Sequence, residues 1–116
     1  MGGGSVLDTG KVVAAMLNNG GAVFVWQGGK QSFQNIYARF MTPSNTWATG
    51  DVQVNSFNRN SQLNPALATL ADGNVVVVWG SFNQAYATSL QDIYAQRLSP
   101  TGLKLDGEFP VNETTG

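Results

Sequence analysis

Two runs of the chain are apolar at every position: "AVFVW" at Ala22–Trp26 and "VVVVW" at Val75–Trp79. A strand with one wet face alternates apolar and polar residues, so unbroken runs of this length predict strands covered on both sides. A mixed segment precedes each run, "KVVAAML" or "NPALATL", and the turn dipeptide Asn19-Gly20 or Asp72-Gly73 links the two. Those dipeptides predict tight hairpins with positive φ angles. A third pair of strands is predicted at "NIYARFM" and "DIYAQRL", each stopped by a turn that begins at Pro43 or Pro100. The fourth pair is "GDVQV" and "GEFPV", apolar at Val52, Val54, Phe109 and Val111. Pro110 cannot donate to a ladder, which places the fourth strand at a sheet edge. No stretch carries helical periodicity with caps, so the chain reads as all-β.

The elements come in pairs because the chain repeats itself. Residues 14–26 align with 67–79 at an offset of 53, with six of thirteen positions identical, among them Leu17/Leu70, Gly20/Gly73 and Trp26/Trp79. Residues 35–55 align with 92–112 at an offset of 57, with seven of twenty-one identical, among them Ile36/Ile93, Tyr37/Tyr94, Pro43/Pro100 and Asn55/Asn112. The change of offset places a four-residue insertion after Trp79 in the second copy. Ordered matches with one insertion define two copies of a unit of about 55 residues. The reading divides the chain into a flexible leader over 1–10 and repeats over 11–62 and 63–116.

Four antiparallel strands with both faces apolar and an outer edge strand describe a propeller blade. The first strand of a blade lies nearest the axis, and Ala14, Ala15, Ala66 and Ala68 suit that crowding. Trp26 and Trp79 are expected as filler between blades. The fold expected is therefore two four-stranded antiparallel propeller blades that close a β-propeller by homo-oligomerisation.

The pattern P-x-x-A-x-L-x-D-G-N-x-V-V-V-W over Pro65–Trp79, D-I-Y-A-Q-R-L-x-P-x-G over Asp92–Gly102 and G-E-F-x-V-N-x-T-T over Gly107–Thr115 resembles a repeat of large secreted bacterial proteins. Such repeats occur beside haemolysin-type calcium-binding or adhesin-like regions. The first copy fits less well, with Val12 at the place of Pro65 and Asn45 at the place of Gly102. The resemblance implies a propeller-like array outside the bacterial cell or on its surface, with an adhesive or binding role.

Composition narrows the function classes. Only 11% of residues are charged and the formal net charge is −1, so the chain lacks the basic stripe that nucleic-acid binding needs. No cysteine is present, which removes disulfides, thiolate chemistry and cysteine metal sites. The apolar runs are too short to span a bilayer, so no membrane insertion is expected.

Candidate chemistry is sparse. There is no histidine to serve as the base of a hydroxyl nucleophile, and no D-x-D-x-D-G calcium loop. The Gly-rich "QGGKQS" leads into no helix, so it reads as a loop rather than a phosphate cradle. Asp72 reads as a turn residue, and Asp51/Glu108 recur at one repeat position, as structural residues do. Asp92 stands where the first copy has Asn35, so neither position requires ionisation. No catalytic residue, metal ligand or cofactor is assigned. The aromatic candidates are Trp47, whose counterpart is Lys104, and the inserted loop after Trp79, with Phe82, Asn83, Gln84 and Tyr86. An apolar surface with amide donors is the mixture a glycan site uses.

Two blades cannot close a ring, and two bare apolar faces associate. The expected partner is the chain itself, in a cyclic assembly of three or four copies, with an open head-to-tail stack as the alternative. The function expected is a non-enzymatic self-assembling module, structural or ligand-binding, with a glycan or polymer as the ligand. The alternatives are a glycosidase-type enzyme whose carboxylates meet across chains, and a purely architectural or designed scaffold.

Overall fold

The computed structural model describes residues 12–30, 33–56, 61–82 and 91–112. Among these described residues eight strands run in order: β1 (Val13–Met16), β2 (Ala22–Gly28), β3 (Asn35–Met41), β4 (Val52–Gln53), β5 (Gln62–Thr69), β6 (Val75–Phe82), β7 (Gln91–Leu98) and β8 (Lys104–Pro110). They form two antiparallel four-stranded sheets, β1-β2-β3-β4 and β5-β6-β7-β8, each a simple meander. The protein is all-β, and the sequence repeat is one sheet per copy. Pro110 lies on the edge strand β8 opposite Tyr94, where a missing donor leaves no gap in a central ladder.

Four five-residue loops close the hairpins in one common way. The N–H of Leu17 donates to Gly21 O and that of Gly20 donates to Leu17 O; Thr42–Thr46, Leu70–Asn74 and Ser99–Leu103 repeat the pattern. In each loop the fourth residue has positive φ: Gly20 at 93°, Asn45 at 66°, Gly73 at 91° and Gly102 at 91°. This is a one-turn loop followed by a left-handed bulge residue, the three-residue hairpin solution. It corrects the expectation for Asn19 and Asp72, because only the glycine of each dipeptide takes positive φ. The Asn19 and Asp72 side chains instead accept from the N–H of Gly21 and Asn74, which locks the loop. Asn45 substitutes for glycine because asparagine tolerates the left-handed region best among residues with a side chain.

Asn55 and Asn112 account for the last repeated pair of the sequence. The N–H of Ile36 donates to Asn55 Oδ1 at 2.7 Å, and that of Ile93 to Asn112 Oδ1 at 2.8 Å. Their amide groups then donate to Asn35 Oδ1 at 2.9 Å and Asp92 Oδ1 at 3.4 Å. Each asparagine thus extends the pairing of the third and fourth strands beyond the ladder.

One face of each sheet meets the other sheet. Val23, Val25, Ile36, Ala38, Phe40 and Val54 form a single core with Val75, Val77, Trp79, Tyr94 and Leu98. Polar bonds fasten the rim: the N–H of Gln62 donates to Gln34 O at 2.9 Å, and that of Ser56 to Glu108 Oε1 at 2.6 Å. A bulge at Asn64-Pro65 frees the Asn64 N–H from its ladder and turns it onto Gln27 Oε1 at 2.8 Å. Inside the core, Trp79 Nε1 donates to Gln62 Oε1 at 2.9 Å, so the buried indole is satisfied.

Candidate functional site

The two sheets do not pack through equivalent faces. Strand register places Val23, Val25, Ile36, Ala38 and Phe40 on one face of the first sheet, and that face is covered. Their counterparts Val76, Val78, Ile93, Ala95 and Arg97 lie on the outer face of the second sheet. Conversely, the core face of the second sheet carries Val77, Trp79, Tyr94 and Gln96, and its counterpart residues Phe24, Trp26, Tyr37 and Arg39 lie on the outer face of the first. The contact is front to back. One front and one back remain open.

Exposure of matched residues measures the asymmetry. Val54 is 0% exposed while its counterpart Val111 is 53% exposed, and Ile36 is 0% against 40% for Ile93. Trp79 is buried in the core between the two sheets, whereas Trp26 is half-buried on the open face and stacks on Tyr37 with centroids 6.1 Å apart. The expectation that both central strands are covered on each side therefore holds, within one chain, for one face of each.

Met16, Phe24, Trp26, Tyr37, Met41 and Trp47 make the first open face mostly apolar. Trp47 is 47% exposed and reaches this face through an isolated bridge to Met41. Phe24 meets its ring edge-on at 5.7 Å, and the Arg39 guanidinium lies 4.0 Å from its centroid. One ring face is therefore occupied by a cation. Arg39 Nε also donates to Thr49 O at 3.2 Å, the bond that Gln96 Nε2 makes to Asp106 O at 3.0 Å in the second copy. The second open face carries Ala66, Ala68, Val76, Val78, Ile93 and Phe109, with one ion pair, Arg97 to Asp106 at 2.8 Å.

Of the residues singled out for ligand binding, the two described ones, Trp47 and Phe82, lie at opposite ends of the strands. Trp47 lies beyond the end of β3, at the Ala22 end of its sheet, while Phe82 lies opposite Gln91 at the other end of the strands. Asn83, Gln84 and Tyr86 fall outside the described residues. Among the carboxylates, Asp72 holds a turn, Glu108 bridges the sheets, Asp106 pairs with Arg97 and Asp92 accepts from Asn112. Burial pushes the Tyr94 hydroxyl above its usual pKa, and the Asp92 and Glu108 carboxylates push it the same way. Among the described residues no group of three or more His, Cys, Asp or Glu is placed to hold a metal ion.

What the pattern of the sequence did not expose is this front-to-back pairing. The signal was present in the parity of the repeat, since Val23/Val76 and Trp26/Trp79 lie on opposite faces of any strand, but parity alone does not say which face is covered. No protein family, curated protein or solved structure matches the chain significantly, so its function has to be read from this geometry.

Proposed function

We propose that the chain is a non-enzymatic self-assembling module, two blades of a β-propeller that copies of itself complete. The observation that carries this reading is the mismatch in burial between equivalent residues, Val54 against Val111 and Ile36 against Ile93. The chain contains one finished front-to-back joint and the two unmatched halves of a second. Joining the back of one copy to the front of the next is a heterologous contact, which closes a ring when the rotation divides the circle. Three chains supply six blades and four supply eight, both within the usual propeller range. The resemblance to repeats of secreted bacterial proteins supports an extracellular setting for such a ring.

Charge substitutions on each open face test the reading. Ile93→Lys and Phe24→Lys each place an ammonium where a neighbouring blade would desolvate it, while costing little in a single chain. The molar mass in light scattering is expected to fall to that of one chain for both variants. An unchanged mass for both refutes the proposed use of these faces.

A glycan site at Trp47 has less support, because Arg39 already covers one face of the ring and Phe24 meets its edge. The four bonded carboxylates have structural partners, which favours a non-catalytic module over a glycosidase assembled across chains.

A further inference from the structure

Resting on the self-assembly reading, the joint inside the chain indicates how two copies meet. At that joint Gly102, in the Ser99–Leu103 loop of the second sheet, lies against Phe40 and Thr49 of the first. A Cβ built on Gly102 would lie 2.8 Å from Thr49 Cγ2 and 3.2 Å from Phe40 Cδ1. No side chain fits there without displacing one of them.

The same joint between two copies has different occupants. Asn45 replaces Gly102, with the same left-handed backbone, so a side chain enters where none fits within the chain. Arg97 replaces Phe40 and Asp106 replaces Thr49. The three exchanges agree in chemistry: an apolar, side-chain-free contact becomes an amide facing an ion pair. Arg97 and Asp106 are already joined at 2.8 Å on the open face, and that pair leaves acceptor and donor positions for an amide. Trp26, Tyr37 and Met41 keep the contact apolar at the places of the buried Trp79, Tyr94 and Leu98, while Arg39 stands where the joint within the chain has the buried Gln96. One bond has no counterpart, since Gly80 stands where Gln27 receives the Asn64 N–H.

We infer that the outer face of the second sheet is occupied by the outer face of the first sheet of another copy, in the register that seats its Asn45 loop on Arg97 and Asp106. Asn45 is thus the residue that distinguishes the joint between copies from the joint within one. An isologous dimer, front on front or back on back, puts equivalent loops together instead and gives Asn45 no such partner.

Because the chain has no cysteine, single introduced thiols report the contact cleanly. Asn45→Cys and Asp106→Cys full-length chains, one of them isotopically heavy, are unfolded in urea together, refolded and treated with a short bismaleimide. A cross-linked heavy–light dimer in the mixture, and none in either variant alone, is expected. Arg97→Cys replaces Asp106→Cys if the latter does not refold, with the same expectation. Dimers of Asn45→Cys with itself overturn the register. So does an oligomer of unchanged mass with no heavy–light product, and that result leaves self-assembly standing. A single-chain mass for the unsubstituted protein overturns both.

Discussion

Gly102 of the second sheet rests against Phe40 of the first, so closely that an added methyl would sit 3.2 Å from the ring and 2.8 Å from Thr49 Cγ2. Gly73 has the same φ of 91° but nothing within 4 Å of its would-be Cβ. The pair separates backbone strain from crowding. Gly73→Ala is expected to cost about 1 kcal/mol through its positive φ alone. Gly102→Ala should add about 1–3 kcal/mol for overpacking. Urea unfolding midpoints of the two variants measure the difference.

Asn55 and Asn112 make matching bonds in unequal surroundings. Asn55 is buried, so Asn55→Ala leaves the Ile36 N–H without water or partner and is expected to cost about 1–3 kcal/mol. Asn112 is half-buried and Ile93 exposed, so within a single chain Asn112→Ala is expected to cost about 1 kcal/mol or less. Amide hydrogen exchange should show Ile36 losing more protection than Ile93. Equal losses in an isolated chain would contradict the burial assignment.

Tyr94 makes stability fall on the alkaline side. Its folded-state pKa is raised, by burial first and then by Asp92 and Glu108, so the folded protein holds the phenolic proton more firmly than the unfolded chain. That stabilisation is fully present below the unfolded tyrosine value of about 10 and is lost as pH climbs through the folded value. Thermal melts of the wild type should decline over that window, and Tyr94→Phe should flatten the decline. Ultraviolet titration should show the Tyr94 hydroxyl ionising late, a step that Tyr94→Phe removes.

Much of this fold was legible in the residues. The unbroken apolar runs at Ala22–Trp26 and Val75–Trp79, the glycines at 20 and 73, and Pro110 specified central strands, turns and an edge. The fourth strands were less legible. Strand β4 has two residues and β8 has seven, although both were expected from similar five-residue segments. The longer β8 carries a bulge at Asp106, which takes φ of 62°, and Gln96 Nε2 fills it by donating to the carbonyls of Arg97, Leu105 and Asp106. A side chain that caps a bulge across two strands leaves no local pattern in the sequence. The same holds for Arg39 and Trp47: they are far from adjacent, and only the bridge of Trp47 to Met41 brings the ring under the guanidinium.

Arg39 offers a check on the first open face. Arg39→Ala removes the cation from the Trp47 ring and the bond to Thr49 O, each worth about 1 kcal/mol at a half-exposed site. A modest loss of stability with a shift of tryptophan fluorescence is expected. Arg39→Gln, which copies Gln96 of the second sheet, should restore the bond to Thr49 O and part of the stability.

The central claim is that one chain holds a finished joint and two halves of another. Native mass spectrometry of the unsubstituted protein tests it most directly. One closed species of three or four chains that does not grow with concentration is expected. A species of one chain at all concentrations would contradict it.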